Sequence, residues 1–121
     1  MNINLKNKII NNLSNDLLKK EYINVPNKNK YTGHCYVASE TYYHLSKDKL
    51  KVLHVKHENS THWFLKDEFD NIIDLTYKQF KTPVPYSQAR RSFFLTKQPS
   101  KRSKKLINKV LNDKRKIKTE I

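Results

Sequence analysis

The sequence predicts an α+β domain in which one buried helix packs on a small antiparallel sheet, with further helices at both ends. Three observations lead there. Apolar residues recur at three- and four-residue spacing in three separate segments. Short runs rich in β-branched and aromatic residues, joined by polar turns, occupy residues 51–76. The chain has 121 residues, the length of one domain with one modest core.

Residues 3–22 read as the first helix, with Ile9, Ile10, Leu13, Leu17 and Leu18 on its apolar face. Pro26 and the asparagines around it end that pattern. Residues 34–46 read as the second and most buried helix, because Val37, Ala38, Thr41, Tyr42 and Leu45 leave little polar surface. Thr32 or Gly33 can cap it. Residues 51–57, 61–66 and 71–76 read as an antiparallel meander with turns at 58–60 and 67–70. Tyr77-Lys78-Gln79-Phe80 reads as a helical turn, and Ser92 to Thr96 as a further strand. Ser100 is a natural cap for a last helix over 100–118, with Leu106, Ile107, Val110 and Leu111 inside. Residues 1–121 thus form one domain, with a core over 31–96 and a basic terminal helix over 97–121.

Composition narrows the function classes. Hydrophobic residues are 36% of the chain, below the usual globular share of about 45–50%. Aromatic residues are 11%, too many for a disordered tail. The net charge is +14, and residues 97–118 carry ten Lys or Arg against Asp113 alone. Lys101, Arg102, Lys104 and Lys105 make a basic face that suits an acidic protein or nucleic acid. A solvated helix explains the same run. No apolar stretch is long enough for a membrane span or a signal sequence, which implies no membrane partner and a cytoplasmic location. The single cysteine forbids an internal disulfide and suits a reducing compartment. No cofactor is implied, since glycine loops and paired metal carboxylates are absent. His54, His57 and His62 do not make a metal site: His54 and His57 point to opposite faces of a strand, and no second cysteine is present.

The chemistry-bearing residues stand in a particular order. Cys35 lies at the predicted start of a helix, His62 on one strand and Asp74 on the next. A thiolate is the working nucleophile, and the unpaired N–H groups of a helix N-terminus lower a thiol's pKa and can hold an oxyanion. Gly33 permits close backbone approach beside it. If Lys66 pairs with Asp70 across a three-residue loop, His62 lies opposite Asp74 on one face; an even loop would separate them. Asp74 then orients one imidazole nitrogen while the other meets Cys35. Each residue also has an ordinary structural explanation. Free cysteine is usually buried and inert, and a strand histidine or a turn aspartate needs no catalytic role. The neighbouring His34 diverges from Cys35 around the helix and is a poor base for it.

The runs GHCYVASETYYHL, HENSTHWFL, IIDLT with Gln79-Phe80, and FFLTKQPSKRSKKLI resemble small proteins of tailed bacteriophages, over residues 31–111. More broadly, the order Cys35, His62, Asp74 resembles that of papain-like and transglutaminase-like enzymes. That resemblance implies a catalytic helix packed on an antiparallel sheet and acyl chemistry through a thioester. By it, Cys35 carries over as nucleophile, His62 as general base and acid, and Asp74 as orienter. Gly33, His34, Asn29 and Trp63 fall on the oxyanion and substrate side. The family's glutamine before the cysteine is missing; Asn27 and Asn29 are the only side-chain amides there. The implied activity is hydrolysis or acyl transfer at a peptide, isopeptide or amide bond of an acidic protein, in the bacterial host cytosol for a phage product. The other reading is a basic module that binds nucleic acid or an acidic protein, with Cys35, His62 and Asp74 structural.

Overall fold

Tight polar turns decide where the sheet begins and ends. The computed structural model describes residues 2–114; the helix expected over 100–118 ends at Leu111, capped by Asn112, and the part of that expectation on Arg115, Lys116 and Lys118 lies outside the described residues. Strands β1 (Leu50–His57), β2 (Ser60–Asp67), β3 (Ile72–Ile73) and β4 (Arg90–Ser92) form an antiparallel sheet in the order β3-β2-β1-β4. Helices α1 (Ile3–Asn11), α2 (Lys20–Ile23), α3 (Cys35–Leu45) and α4 (Lys101–Leu111) complete this mixed α/β fold.

Glu58 and Asn59 form the β1–β2 turn with φ of 46° and 64°. A two-residue turn with both residues left-handed matches the twist of its strands. It sets His57 opposite Ser60 and Val55 opposite His62. The next loop is Glu68-Phe69-Asp70, with the Asp67 carboxylate accepting from the backbone of Phe69 and Asn71, both at 2.9 Å. This loop has the expected three residues but lies one position later, so Leu65 faces Ile73. The strand expected over 71–76 shrinks to Ile72–Ile73.

Each face of the sheet has its own cover. Val52, Leu65 and Ile73 join Val37, Ala38 and Tyr42 of α3 and Leu106 and Val110 of α4 in the main core. Leu53, Val55 and Phe64, on the other face, pack against Val84, Tyr86 and Ala89. The chain leaves the sheet after Ser92, earlier than expected. Phe94 then packs against Trp63, and the Leu95 N–H donates to the Tyr36 hydroxyl at 2.9 Å. This contact with α3 draws 93–96 off the β4 path.

The helix expected over 3–22 is broken. Asn12 caps α1, and a single 3-10 turn at Asn15–Leu17 separates it from α2. Ser14, Asn15 and Asp16 compete with a helical backbone for hydrogen bonds. The break lets Leu13, Leu17 and Leu18 all be buried. Asp16 then anchors α4, accepting from Lys109 Nζ at 2.8 Å and pairing with Lys105 at 3.2 Å. The hydrogen bond from Lys109 holds the Asp16 carboxyl well below its usual range. Arg102 donates to the Leu17 carbonyl at 3.2 Å. Of the expected basic face, Lys101, Lys104 and Lys105 are exposed, though Lys105 pairs with Asp16, while Arg102 is turned to the α1–α2 connection. Leu106 and Val110 are buried as inner positions, but Leu111 is 67% exposed.

Glu40 of α3 is fully buried and accepts from Ser100 N at 3.2 Å and Ser100 Oγ at 2.6 Å. Ser100 caps α4 by accepting from Ser103 N, and Ser103 Oγ bonds Thr41 Oγ1 at 3.0 Å. A carboxylate at a helix N-terminus is electrostatically favourable. Glu40→Ala removes it and strands half-buried donors, and should lower unfolding stability by about 2 kcal/mol. Urea unfolding of the variant checks this, with exposed Lys101→Ala as a control that should change little.

Candidate active site

The site forms where α3 meets the bare edge of β2. β3 pairs only at Leu65 and Lys66, so among the described residues β2 has no strand partner on that side nearer its start. Helix α3 takes the place of one. Cys35 Sγ donates to the Thr61 carbonyl at 3.7 Å, and Ser39 Oγ donates to the Trp63 carbonyl at 3.2 Å. One helical turn from 35 to 39 spans about 6 Å, close to the rise of two strand residues. The helix thus tracks the strand edge and delivers the thiol, on its first residue, to the level of Thr61 and His62. Cys35 is partly exposed.

His62 points to the face opposite α3 and is fully buried. Its Nε2 stands 2.6 Å from Asp74 Oδ2. The chain after Ile73 leaves the ladder yet keeps its alternation, so Asp74 faces the same side. The shift in register preserves parity, since a slip of two residues leaves each side chain on its face. Both oxygens of Asp74 are engaged: Oδ1 accepts from Thr76 N at 3.1 Å, and Oδ2 also accepts from the Tyr86 hydroxyl at 2.8 Å. Burial, with the Asp74 charge, pushes the Tyr86 phenol up. Phe80 meets the imidazole edge-on at 4.8 Å, and Phe64 stacks at 6.1 Å.

Burial works against a charged His62. The hydrogen bond to Asp74 and the hydrogen bond to Cys35, followed by the charges of both groups, prevail, and the pKa is pushed up to about 9. The imidazole is held by a carboxylate beyond β3, and the Cys35 sulfur at the start of α3 adds to the pull on its proton. Gln79 completes its surroundings: Nε2 lies 3.2 Å from His62 Nδ1 and 3.2 Å from Thr76 Oγ1. An amide N–H donating to Nδ1 puts the proton of the neutral ring on Nε2, toward Asp74.

The other expected site residues lie elsewhere or are engaged. Gly33 adopts φ +79°, which glycine favours, but a Cβ there would stand 2.9 Å from the Tyr22 ring. Its close approach is thus to Tyr22 and Leu18 of this chain. His34 is buried at the N-cap position of α3, and its Nε2 bonds the Ser14 carbonyl at 3.0 Å. Burial pushes its pKa down. Asn29 accepts from Tyr31 N at 2.8 Å and donates to the Lys78 carbonyl at 3.0 Å, which ties its amide to two loops. Trp63 projects to the α3 face, away from His62, and packs edge-on against Tyr36 at 4.9 Å. The amide beside the imidazole is instead Gln79. Its position after Asp74, in the short turn Tyr77–Gln79, follows from a long-range return of the chain that no spacing announces. Tyr86 escapes sequence reading for the same reason.

Among the described residues, no group of three His, Cys, Asp or Glu side chains could hold a metal ion. No helix among them is long and apolar enough to cross a membrane. No protein-family model, curated protein or solved structure matches the chain.

The raised pKa of His62 links the site to stability. The folded state holds the extra proton more tightly than the unfolded chain, whose histidine titrates near 6.5. This contribution is fully present below pH 6.5 and fades as pH rises through about 9. Each pKa unit is worth about 1.4 kcal/mol, so the native protein should lose a few kcal/mol across that window. Asp74→Asn should flatten that loss. Urea midpoints of both proteins at intervals across the window measure it.

Proposed function

We propose that this chain is a cysteine-dependent hydrolase or acyltransferase acting on a peptide, isopeptide or amide bond, with a papain-like or transglutaminase-like arrangement of Cys35, His62 and Asp74. The observation that carries the reading is the buried His62 ring bonded to the Asp74 carboxylate at 2.6 Å, with Cys35 Sγ on the carbonyl of the adjoining Thr61 at 3.7 Å. Burying an ion pair is a poor way to gain stability. A nucleophile, a base and an orienting carboxylate contributed by three elements is the arrangement that thiol acyl chemistry requires.

The steps follow from the atoms present. Near neutral pH His62 carries the proton that the thiol gives up, and Gln79 Nε2 must yield Nδ1 while that proton is there. The thiolate attacks the substrate carbonyl, whose oxygen gains the negative charge. N–H groups at the start of α3 can stabilise that charge, and the released Gln79 amide stands at the same imidazole. Collapse of the tetrahedral species expels the amine, which takes the proton from His62. The thioester on Cys35 then passes its acyl group to water, in hydrolysis, or to a second amine, in transfer. Asp74 keeps the ring turned throughout, with Tyr86 and the Thr76 N–H fixing its own position. The setting we propose is a reducing bacterial cytosol, in keeping with the single free thiol.

Selective alkylation tests this without a known substrate. At pH 7, iodoacetamide should label native Cys35 faster than the urea-unfolded chain. His62→Ala should slow labelling about tenfold by removing the group that holds the thiol's proton. Asp74→Asn should fall between, and Cys35→Ser should take no label. Equal rates in the native protein and His62→Ala, by intact-mass analysis, would remove the base from the scheme.

A further inference from the structure

The sheet face shared with α3 is not covered along its whole length. Beyond the helices, His54 and Lys56 of β1, Thr61 and Trp63 of β2, and Arg90 and Ser92 of β4 line a groove of about 460 Å³. The register sets His54 across from both Trp63 and Arg90, and Lys56 across from Thr61. Paired residues share a face, so these side chains converge on one surface. Lys56 and Arg90 are exposed, and none of the described residues lining the groove is acidic. Trp63 gives the groove an aromatic wall, backed by Tyr36 at 4.9 Å. Thr61 joins the groove to the thiol: its side chain lines the one while its carbonyl accepts from Cys35 at 3.7 Å.

We propose that this groove binds an extended acidic peptide, the segment adjoining the bond presented to Cys35. The proposal rests on the cysteine reading above and names the substrate's recognition element. Strands are spaced about 4.8 Å apart, and an extended peptide advances about 3.3 Å per residue. Crossing from β2 to β1 and then to β4 therefore takes about three residues. An Asp or Glu near the second position from the reacting carbonyl meets Lys56, and one near the third or fourth meets Arg90. Cations fixed on two paired strands, Lys56 of β1 and Arg90 of β4, recognise such a segment better than the basic α4, where Arg102 and Lys105 already bind within the chain. A larger concavity, about 690 Å³, is built by residues 77–86 alone and includes Lys78 and Lys81. It serves as the internal comparison.

Peptidyl acyloxymethyl ketones of four residues, in which the thiolate displaces a carboxylate, make the test. One carries Glu at the second to fourth positions and the other Lys. The Glu probe should label Cys35 at least about fivefold faster at low salt, and the advantage should shrink as salt screens it. In the double variant Lys56→Glu with Arg90→Glu the preference should vanish or reverse, while the iodoacetamide rate stays that of the native protein. A preference absent in the native protein, with selective iodoacetamide labelling intact, overturns the groove and leaves the cysteine reading standing. A preference removed instead by Lys78→Glu with Lys81→Glu overturns it too. So does protection of Cys35 by oligo-dT at concentrations where the acidic peptide gives none. Loss of selective iodoacetamide labelling itself overturns the cysteine reading, and the proposal with it.

Discussion

The early end of β3 is the constraint on which the rest of this structure turns. Two residues of pairing, Ile72 and Ile73, are enough to fix the register of the chain beyond them. They are too few to cover the edge of β2. That bare edge would expose unpaired carbonyls, which proteins cover or pair. Here Cys35 and Ser39 cover it, at Thr61 and Trp63. The same early end frees Asp74 and Thr76 from the ladder, so the chain can curl under His62. A longer β3 would pair with the start of β2 and exclude both the helix and the thiol from that edge.

Around His62 the structure spends its polar groups on one ring. Asp74 is held by Thr76 N and by Tyr86, and Gln79 is held by Thr76. Each of these partners comes from the stretch 74–86, which also covers the second apolar face through Val84 and Tyr86. Packing on that face and orientation of the ring are therefore one event. The α3 side is secured separately, by Glu40 and Thr41 against Ser100 and Ser103 of α4. Two independent packing surfaces thus converge on the space between Cys35 and His62. Such a division suits a site whose two halves arrive on different elements.

Much of this was legible in the residues. Helix periodicity placed α3 and α4 closely, because Val37, Ala38, Leu106 and Val110 face a core. Period-two patterning placed β1 and β2, and an odd loop sufficed to bring His62 and Asp74 to one face even though the loop lies a residue later than expected. The breaks were harder to read. Ser14 to Asp16 interrupt an apolar period that continues through Leu17 and Leu18, since tertiary burial of those leucines outweighs helical continuity. Gln79 and Tyr86 belong to irregular backbone, where no period reports which way a side chain turns. Asn29 matched the expected residue type near the thiol, yet its amide is consumed by Tyr31 and Lys78. A basic run read only as charge also hid its internal uses, because Arg102, Lys105 and Lys109 are tied to Leu17 and Asp16.

A nucleophilic Cys35 assisted by His62 is best tested by trapping its acyl intermediate. The native protein is mixed with a p-nitrophenyl acyl ester near neutral pH, and nitrophenolate release is followed alongside intact mass. The expected result is a burst of about one equivalent of nitrophenolate, with one acyl group located on Cys35 and both burst and adduct forming about tenfold more slowly in His62→Ala. Acylation spread over surface lysines, or a Cys35 adduct forming as fast in His62→Ala as in the native protein, would contradict it.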